Sequence, residues 1–216
     1  MEMDKRHRIA RRAARYFKSG DVVNLGIGIP SLCGDYAEPG VLLQSENGFI
    51  GIGEAADGLM VNERTCNAGG VPFVPIPGAS AFDVAMSFGI IRSGRMAATV
   101  LGALQVDENG NLANWATPGR AFGMGGAMDL VNGAKQVIVA MEHCDHKGNP
   151  KILKQCTLPL TGRRCVDHIV TDLCVIDVTK DGLVLREVAP GYTPEDVQKV
   201  TEPELIIAHN LKQMIA

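Results

Sequence analysis

Aromatic side chains are scarce in this chain: one Trp, three Tyr and six Phe among 216 residues. That scarcity disfavours a stacking platform for bases or other large planar ligands. A basic surplus is missing too, because 21 Lys and Arg face 24 Asp and Glu, for a formal net charge of -3. Nucleic-acid-binding domains usually show the opposite balance. No uninterrupted apolar run approaches the roughly 18–20 residues of a membrane span. The first twenty residues lack the apolar core of a secretory signal, and Glu2 and Asp4 count against an arginine-rich transit sequence. The six cysteines, Cys33, Cys66, Cys144, Cys156, Cys165 and Cys174, contain no C-x-x-C pair. They read as reduced, mostly buried thiols of a cytoplasmic protein. Also absent are a G-x-S-x-G elbow, an H-E-x-x-H pair and a phosphate-binding P-loop. Their absence removes the commonest hydrolase, zinc-protease and NTPase readings.

What is present points to a globular chain rich in tight turns. Glycine accounts for 25 residues and hydrophobic residues for 46%, and the length is enough to bury a core without disulfides or a structural metal. Ile9, Ala13 and Phe17 recur at helical spacing within residues 4–19, where seven of the 21 Lys and Arg also fall. Such a basic helix presents a solvated face, or one that attracts an anionic ligand or an acidic surface. Val22 to Ile29 reads as a buried strand stopped by Pro30, and Val41–Gln44 as a second strand ending at Ser45-Glu46-Asn47-Gly48. Ser80 with Asp83 resembles a capping box opening a helix over Ala81–Ile91, with Phe82, Ala85, Met86, Gly89 and Ile90 as its buried face. Ala98–Val106 and Gln136–Met141 read as core strands, the latter apolar enough to be buried on both faces. Strands near Ile169–Val178 and Leu183–Val188 flank a hairpin at Lys180-Asp181-Gly182, and Thr193-Pro194-Glu195-Asp196 caps a terminal helix. Alternating strands and helices predict an α/β fold, an open and mostly parallel sheet with helices on both faces. Residues 1–216 read as one domain without internal repeats.

Four segments are candidates for chemistry. Gly26-Ile27-Gly28-Ile29-Pro30-Ser31 begins like a dinucleotide fingerprint but has Ser31 where the third glycine belongs, so it marks only a close backbone approach. His143-Cys144-Asp145-His146 offers metal donors, but His7, His168 and His209 form no second pair of matching spacing, and a polar turn is the plainer reading. No metal is expected. Glu46 in Gln44-Ser45-Glu46-Asn47-Gly48 would project from a strand's carboxyl end, where open α/β sheets gather ligands. The glycines of Gly123-Met124-Gly125-Gly126 are either a plain turn or a source of bare backbone N–H groups for an oxyanion.

Taken together, NLGIGIP (24–30), LQSENGFIGIG (43–53), NAGG (67–70), PGASAFD (77–83), LGALQVDENGNLANW (101–115), GMGGAMDLV (123–131) and KILKQCTLPLTG (151–162) resemble the B subunit of family I coenzyme A transferases. The likeness covers most of the chain in order, and SENG with GMGGAMD is its specific part. It implies a fold like that of sugar-phosphate isomerases and an enzyme moving CoA between a short-chain acyl-CoA and a 3-oxoacid such as acetoacetate, of the acetate/butyrate–acetoacetate or succinyl type. It also implies Glu46 as nucleophile, with Gly26, Gly28, Asn47, Gly48, Gly125 and Gly126 around the oxyanion and CoA. No cofactor is implied, because CoA is itself a substrate. An A-subunit partner in an α2β2 heterotetramer completes the picture, with neither nucleic acid nor membrane involved. The chain departs from the family at Arg92-Ser93-Gly94-Arg95, at Arg120 and at Glu54. The last replaces a proline near Glu46 and bears on acid specificity. An acyl-CoA hydrolase of the same fold and a non-catalytic ligand sensor are the alternatives.

Overall fold

The computed structural model describes residues 4–62 and 64–215; Glu2 lies outside them. The elements run α1 (Lys5–Ala14), β1 (Val22–Leu25), β2 (Leu42–Ser45), β3 (Phe49–Ala55), β4 (Phe73–Ala81), α2 (Val84–Arg92), β5 (Ala98–Leu101), β6 (Gln105–Asp107) and β7 (Leu112–Ala113). They continue through β8 (Ala116–Thr117), β9 (Arg120–Ala121), α3 (Ala127–Gly133), β10 (Val137–Ala140), β11 (Ile152–Leu153), β12 (His168–Val170), β13 (Cys174–Thr179), β14 (Gly182–Val188), α4 (Pro194–Lys199) and β15 (Leu205–Gln213).

Ten strands form one sheet in the order β15-β14-β13-β12-β10-β5-β1-β2-β3-β4. Its centre, β12-β10-β5-β1-β2, is parallel throughout. Antiparallel β13 and β14 extend one side and antiparallel β3 and β4 the other. The tetrapeptides of β5 and β10, apolar but for Thr99, are buried along their whole length, as strands covered on both faces must be. On one face Ile9 and Ala13 of α1 pack with Val23, Val100 and Ile138. On the other, Ile91, Leu130 and Val197 of α2, α3 and α4 pack with Leu101, Val137 and Val139. The expected α/β sheet with helices on both faces is what forms.

Several boundaries differ from the sequence reading. Helix α1 stops at Ala14 rather than running to residue 19, because Tyr16 turns to stack on His168 at 4.3 Å. Part of its basic face is spent internally: Arg12 holds Glu187 through two 2.8 Å hydrogen bonds. The first strand ends at Leu25, and Pro30–Tyr36 forms a 3-10 turn. Strand β4 carries the chain to Ala81, so α2 opens at Val84 with Asp83, not Ser80, as its cap; Asp83 accepts from the Met86 N–H at 2.8 Å. Ala85, Met86 and Gly89 are consequently exposed, and Ser87 and Ile91 face inward. The core strand expected over 98–106 splits into β5 and β6, where Leu104 N–H turns aside to the Ala113 carbonyl at 2.9 Å. Thr193 and Asp196 do form a capping box, but α4 is followed by β15 and is not terminal.

Candidate active site

Strand β2 delivers the chain to a turn whose geometry only glycine completes. Gly48 sits at φ +122° and donates its N–H to the Ser45 carbonyl at 3.0 Å. A side chain at position 48 would collide with the Phe82 carbonyl, while Phe82 N–H donates to the Gly48 carbonyl at 2.9 Å. That conformation is one L side chains rarely adopt. Asn47 Nδ2 donates to the Cys66 carbonyl at 2.8 Å, and Ser45 Oγ accepts from Ala68 N–H at 2.7 Å. The turn is thus clamped against Phe82, between β4 and α2, on one side and against loop 66–70 on the other. Glu46, between the clamps, is half-buried.

The second glycine segment meets it. Gly126 N–H donates to Glu46 Oε1 at 3.2 Å, joining residues eighty positions apart. A Cβ on Gly126 would lie 2.7 Å from Glu46 Oε2, 2.9 Å from its Cδ and 3.0 Å from Phe88 Cζ, so the close approach requires glycine. The Cβ position of Gly125 is 3.4 Å from Glu46 Oε1. Gly126 also begins α3, where unsatisfied N–H groups favour an adjacent anion.

The remaining predicted residues occupy different places. Gly26 N–H continues the sheet to the Val100 carbonyl at 2.8 Å, and Gly28, at φ +89°, forms the bend that follows. These two line the neighbouring loop, with Ile27 between them close to Gly69. Asn47 and Gly48 belong to the turn itself, where Asn47 Nδ2 is engaged by the Cys66 carbonyl and Gly48 N–H by the Ser45 carbonyl. The His143–His146 segment is a structural corner. Both His143 ring nitrogens meet hydroxyls, Thr171 Oγ1 at 3.0 Å and Thr201 Oγ1 at 2.9 Å. Burial pushes this imidazole down to about 4. Asp145 accepts from the N–H groups of Lys147 and Asn149 in its own turn. Among the described residues no group of three or more His, Cys, Asp and Glu is placed to hold a metal ion, and no helix is long and apolar enough to cross a membrane.

One feature of the site escaped sequence reasoning. Thr99, Asn24 and Gln44, side by side on β5, β1 and β2, are all buried and joined to buried Ser87 of α2. Thr99 Oγ1 donates to Asn24 Oδ1 at 3.4 Å, Asn24 Nδ2 to Gln44 Oε1 at 2.8 Å, and Gln44 Nε2 to Ser87 Oγ at 3.0 Å. The available signal was an amide inside each of two otherwise apolar runs.

A family model for Coenzyme A transferase matches residues 6–200. The acetate CoA-transferase subunit beta of Escherichia coli (strain K12) is 48% identical over 97% of both chains. The mitochondrial succinyl-CoA:3-ketoacid coenzyme A transferase 2 of Homo sapiens is 45% identical over 99% of this chain and 42% of its own. The chain belongs to the coenzyme A transferase family. Its fold is shared with the crystal structure of the acyl-CoA transferase YdiF apoenzyme from Escherichia coli O157:H7, at a TM-score of 0.80 and 22% identity, covering all of this chain and 44% of that one. This coenzyme A transferase chain therefore spans nearly the whole of a beta subunit and less than half of the two longer proteins. Exposed apolar side chains occur on the segments that flank its Glu46 corner in sequence: Ile27 between the two glycines, Val84 and Met86 opening α2, and Phe122, Met124 and Met128 around the glycine segment.

Proposed function

We propose that this chain is the glutamate-bearing subunit of a coenzyme A transferase, and that Glu46 carries CoA covalently between two acids. The observation that carries the reading is the Gly126 N–H held on Glu46 Oε1. A Glu46 oxygen attacks the thioester carbonyl of the acyl-CoA, the carbon–sulfur bond breaks, and a mixed anhydride and CoA thiolate result. The thiolate then attacks Cδ of Glu46, and the anhydride carbon–oxygen bond breaks to release the first acid. This leaves a glutamyl-CoA thioester, and the second acid reverses the sequence in a ping-pong cycle. In the thiolate's attack on Cδ the negative charge develops on a Glu46 oxygen. Gly126 N–H is already aimed there, so it serves as the oxyanion donor for that step at no cost in reorganisation. The first tetrahedral intermediate places its charge on the substrate's carbonyl oxygen, farther out, and calls for a donor from elsewhere.

That donor is assigned to a partner A subunit, the assembly being α2β2. Six exposed large apolar side chains on the segments around the Glu46 corner support a covered face, because exposed apolar surface marks interaction sites. Covering the half-buried Glu46 would also keep water from the anhydride. Acetate and 3-oxoacids such as acetoacetate are the proposed acids, after the names of the relatives. CoA enters as a substrate, and no cofactor takes part. The test is mass spectrometry of the co-expressed complex after incubation with acyl-CoA and no acceptor. A CoA adduct on the peptide containing Glu46 is expected, and steady acyl-CoA loss without that adduct would favour hydrolysis instead.

A further inference from the structure

We infer that Ser87 and Gln44 form a positioning pair that sets the distance between the Glu46 carboxylate and its backbone donor. The inference rests on the reading of Glu46 as the nucleophile and adds residues that touch neither substrate nor CoA.

The buried polar line across β5, β1 and β2 occupies positions where apolar side chains would pack well. Thr99, Asn24, Gln44 and Ser87 are each 3% exposed or less. Such a chain is tolerated only when its members satisfy one another, and when they do it fixes the relative placement of the elements that carry them. Here the last link, Gln44 Nε2 to Ser87 Oγ, crosses from the sheet to a helix. Gln44 lies in β2 two residues before Glu46, which enters the turn directly after the strand's last residue, Ser45.

Helix α2 and the residues leading into it reach the glutamate turn on one side and Gly126 on the other. At its start, Phe82 closes around Gly48 of the glutamate turn. One residue beyond Ser87, Phe88 packs against Gly126. Further along, Arg92 Nε donates to Asp129 Oδ1 at 2.6 Å, bracing α2 to α3. The path Glu46, Gln44, Ser87, Phe88, Gly126 therefore closes on itself, and α2 acts as the spacer between nucleophile and donor. Apolar packing alone slides by fractions of an ångström, whereas the amide–hydroxyl link is directional. Displacements of about 1 Å at a reacting centre cost up to about 10²-fold in rate.

The test uses the co-expressed complex with Ser87→Ala, Gln44→Met and the double variant, measuring kcat, KM for acyl-CoA and the thermal midpoint. Each single variant is expected to lower kcat about 10-fold while KM stays within about two-fold, because α2 spaces the reacting groups rather than binding substrate. The double variant is expected to be no slower than the slower single one, since either change breaks the same link. A lowered thermal midpoint with unchanged kcat, or losses that multiply in the double variant, would overturn the assignment. If Ser87→Ala yields no folded complex, exposed Arg92 carries the test: Arg92→Ala should lower kcat about two- to five-fold at constant KM, and an unchanged kcat would overturn the proposal. Glu46→Gln, measured alongside, separates the two ideas. Full transfer by that variant removes the nucleophile reading itself, whereas a dead Glu46→Gln beside a fully active Ser87→Ala removes only the positioning pair.

Discussion

Glu46 and His143 hold comparable places, each just past the carboxyl end of a parallel strand, β2 for the acid and β10 for the imidazole. Their surroundings differ in kind. Every polar atom recorded at His143 is answered: two threonine hydroxyls hold the ring, Asp172 Oδ1 accepts its backbone N–H at 2.9 Å, and only 1% of the residue is exposed. Glu46 is half-buried, and among the described residues one N–H reaches a carboxylate able to accept about four hydrogen bonds. A group whose bonds are all made inside the fold has been given to stability. A carboxylate with capacity to spare beside a backbone donor is what the proposed chemistry requires.

The largest test of that contrast is Glu46→Gln. It preserves shape and an acceptor for Gly126 while removing the nucleophilic oxygen. Transfer should fall roughly 10⁴-fold or more with the thermal midpoint unchanged, measured as acceptor-dependent thioester exchange. Retained transfer would place Glu46 in the same class as His143. Next comes Gly126→Ala, whose added methyl would crowd Glu46 Oε2 and Phe88. A loss of about 10²-fold in kcat is expected from the displaced carboxylate; near-normal kcat would show that the N–H contact is incidental.

On the other side of the comparison, His143 makes stability depend on pH. Burial lowers its folded value from 6.5 to about 4, so the unfolded chain takes up a proton at a pH where the folded chain does not. Its contribution is whole above the unfolded value and drains away as pH falls from about 6.5 towards 4. The loss is on the order of 3 kcal/mol at most. Urea denaturation at pH 7 and 4.5 should show a smaller difference for His143→Gln than for the native chain, and equal differences would refute the assignment. The smallest effect belongs to Thr201→Val. Removing one of the two ring partners should cost about 1–2 kcal/mol of stability and leave transfer rates as they were, whereas a fall in kcat would tie the two corners together.

Much of the site was legible because its chemistry depends on residue types that glycine and acid patterns announce. Ser45-Glu46-Asn47-Gly48 follows an apolar strand and the glycine segment precedes a helical run, so pattern marked both as candidates and the family resemblance joined them into one site. The polar line through Asn24 and Gln44 was not, since a lone amide in an apolar strand looks like a defect until its partners are seen. Loop architecture was hidden for a similar reason. Asn67–Val71, Asp107–Asn111 and Asp145–Asn149 share one pattern: the first residue's side chain accepts the third and fifth N–H groups, and its backbone N–H meets the fifth carbonyl. Each has a left-handed glycine at the fourth position, at φ +78°, +73° and +83°. Only an Asp or Asn and that glycine recur, too little to show as a sequence repeat.

By itself the sequence determined the class of fold, and through its resemblance to a family it singled out Glu46 as the candidate acid. Strand burial follows from apolar runs, and a sharp turn after a strand follows from Asn-Gly, both local consequences of side-chain and backbone physics. Only the tertiary structure decided which glycine faces Glu46, that Gly48 packs under Phe82, that Asp83 caps α2, and that β15 closes the sheet's edge. Those outcomes depend on contacts between segments far apart in the chain, and their geometry exists only once the sheet has brought the segments together.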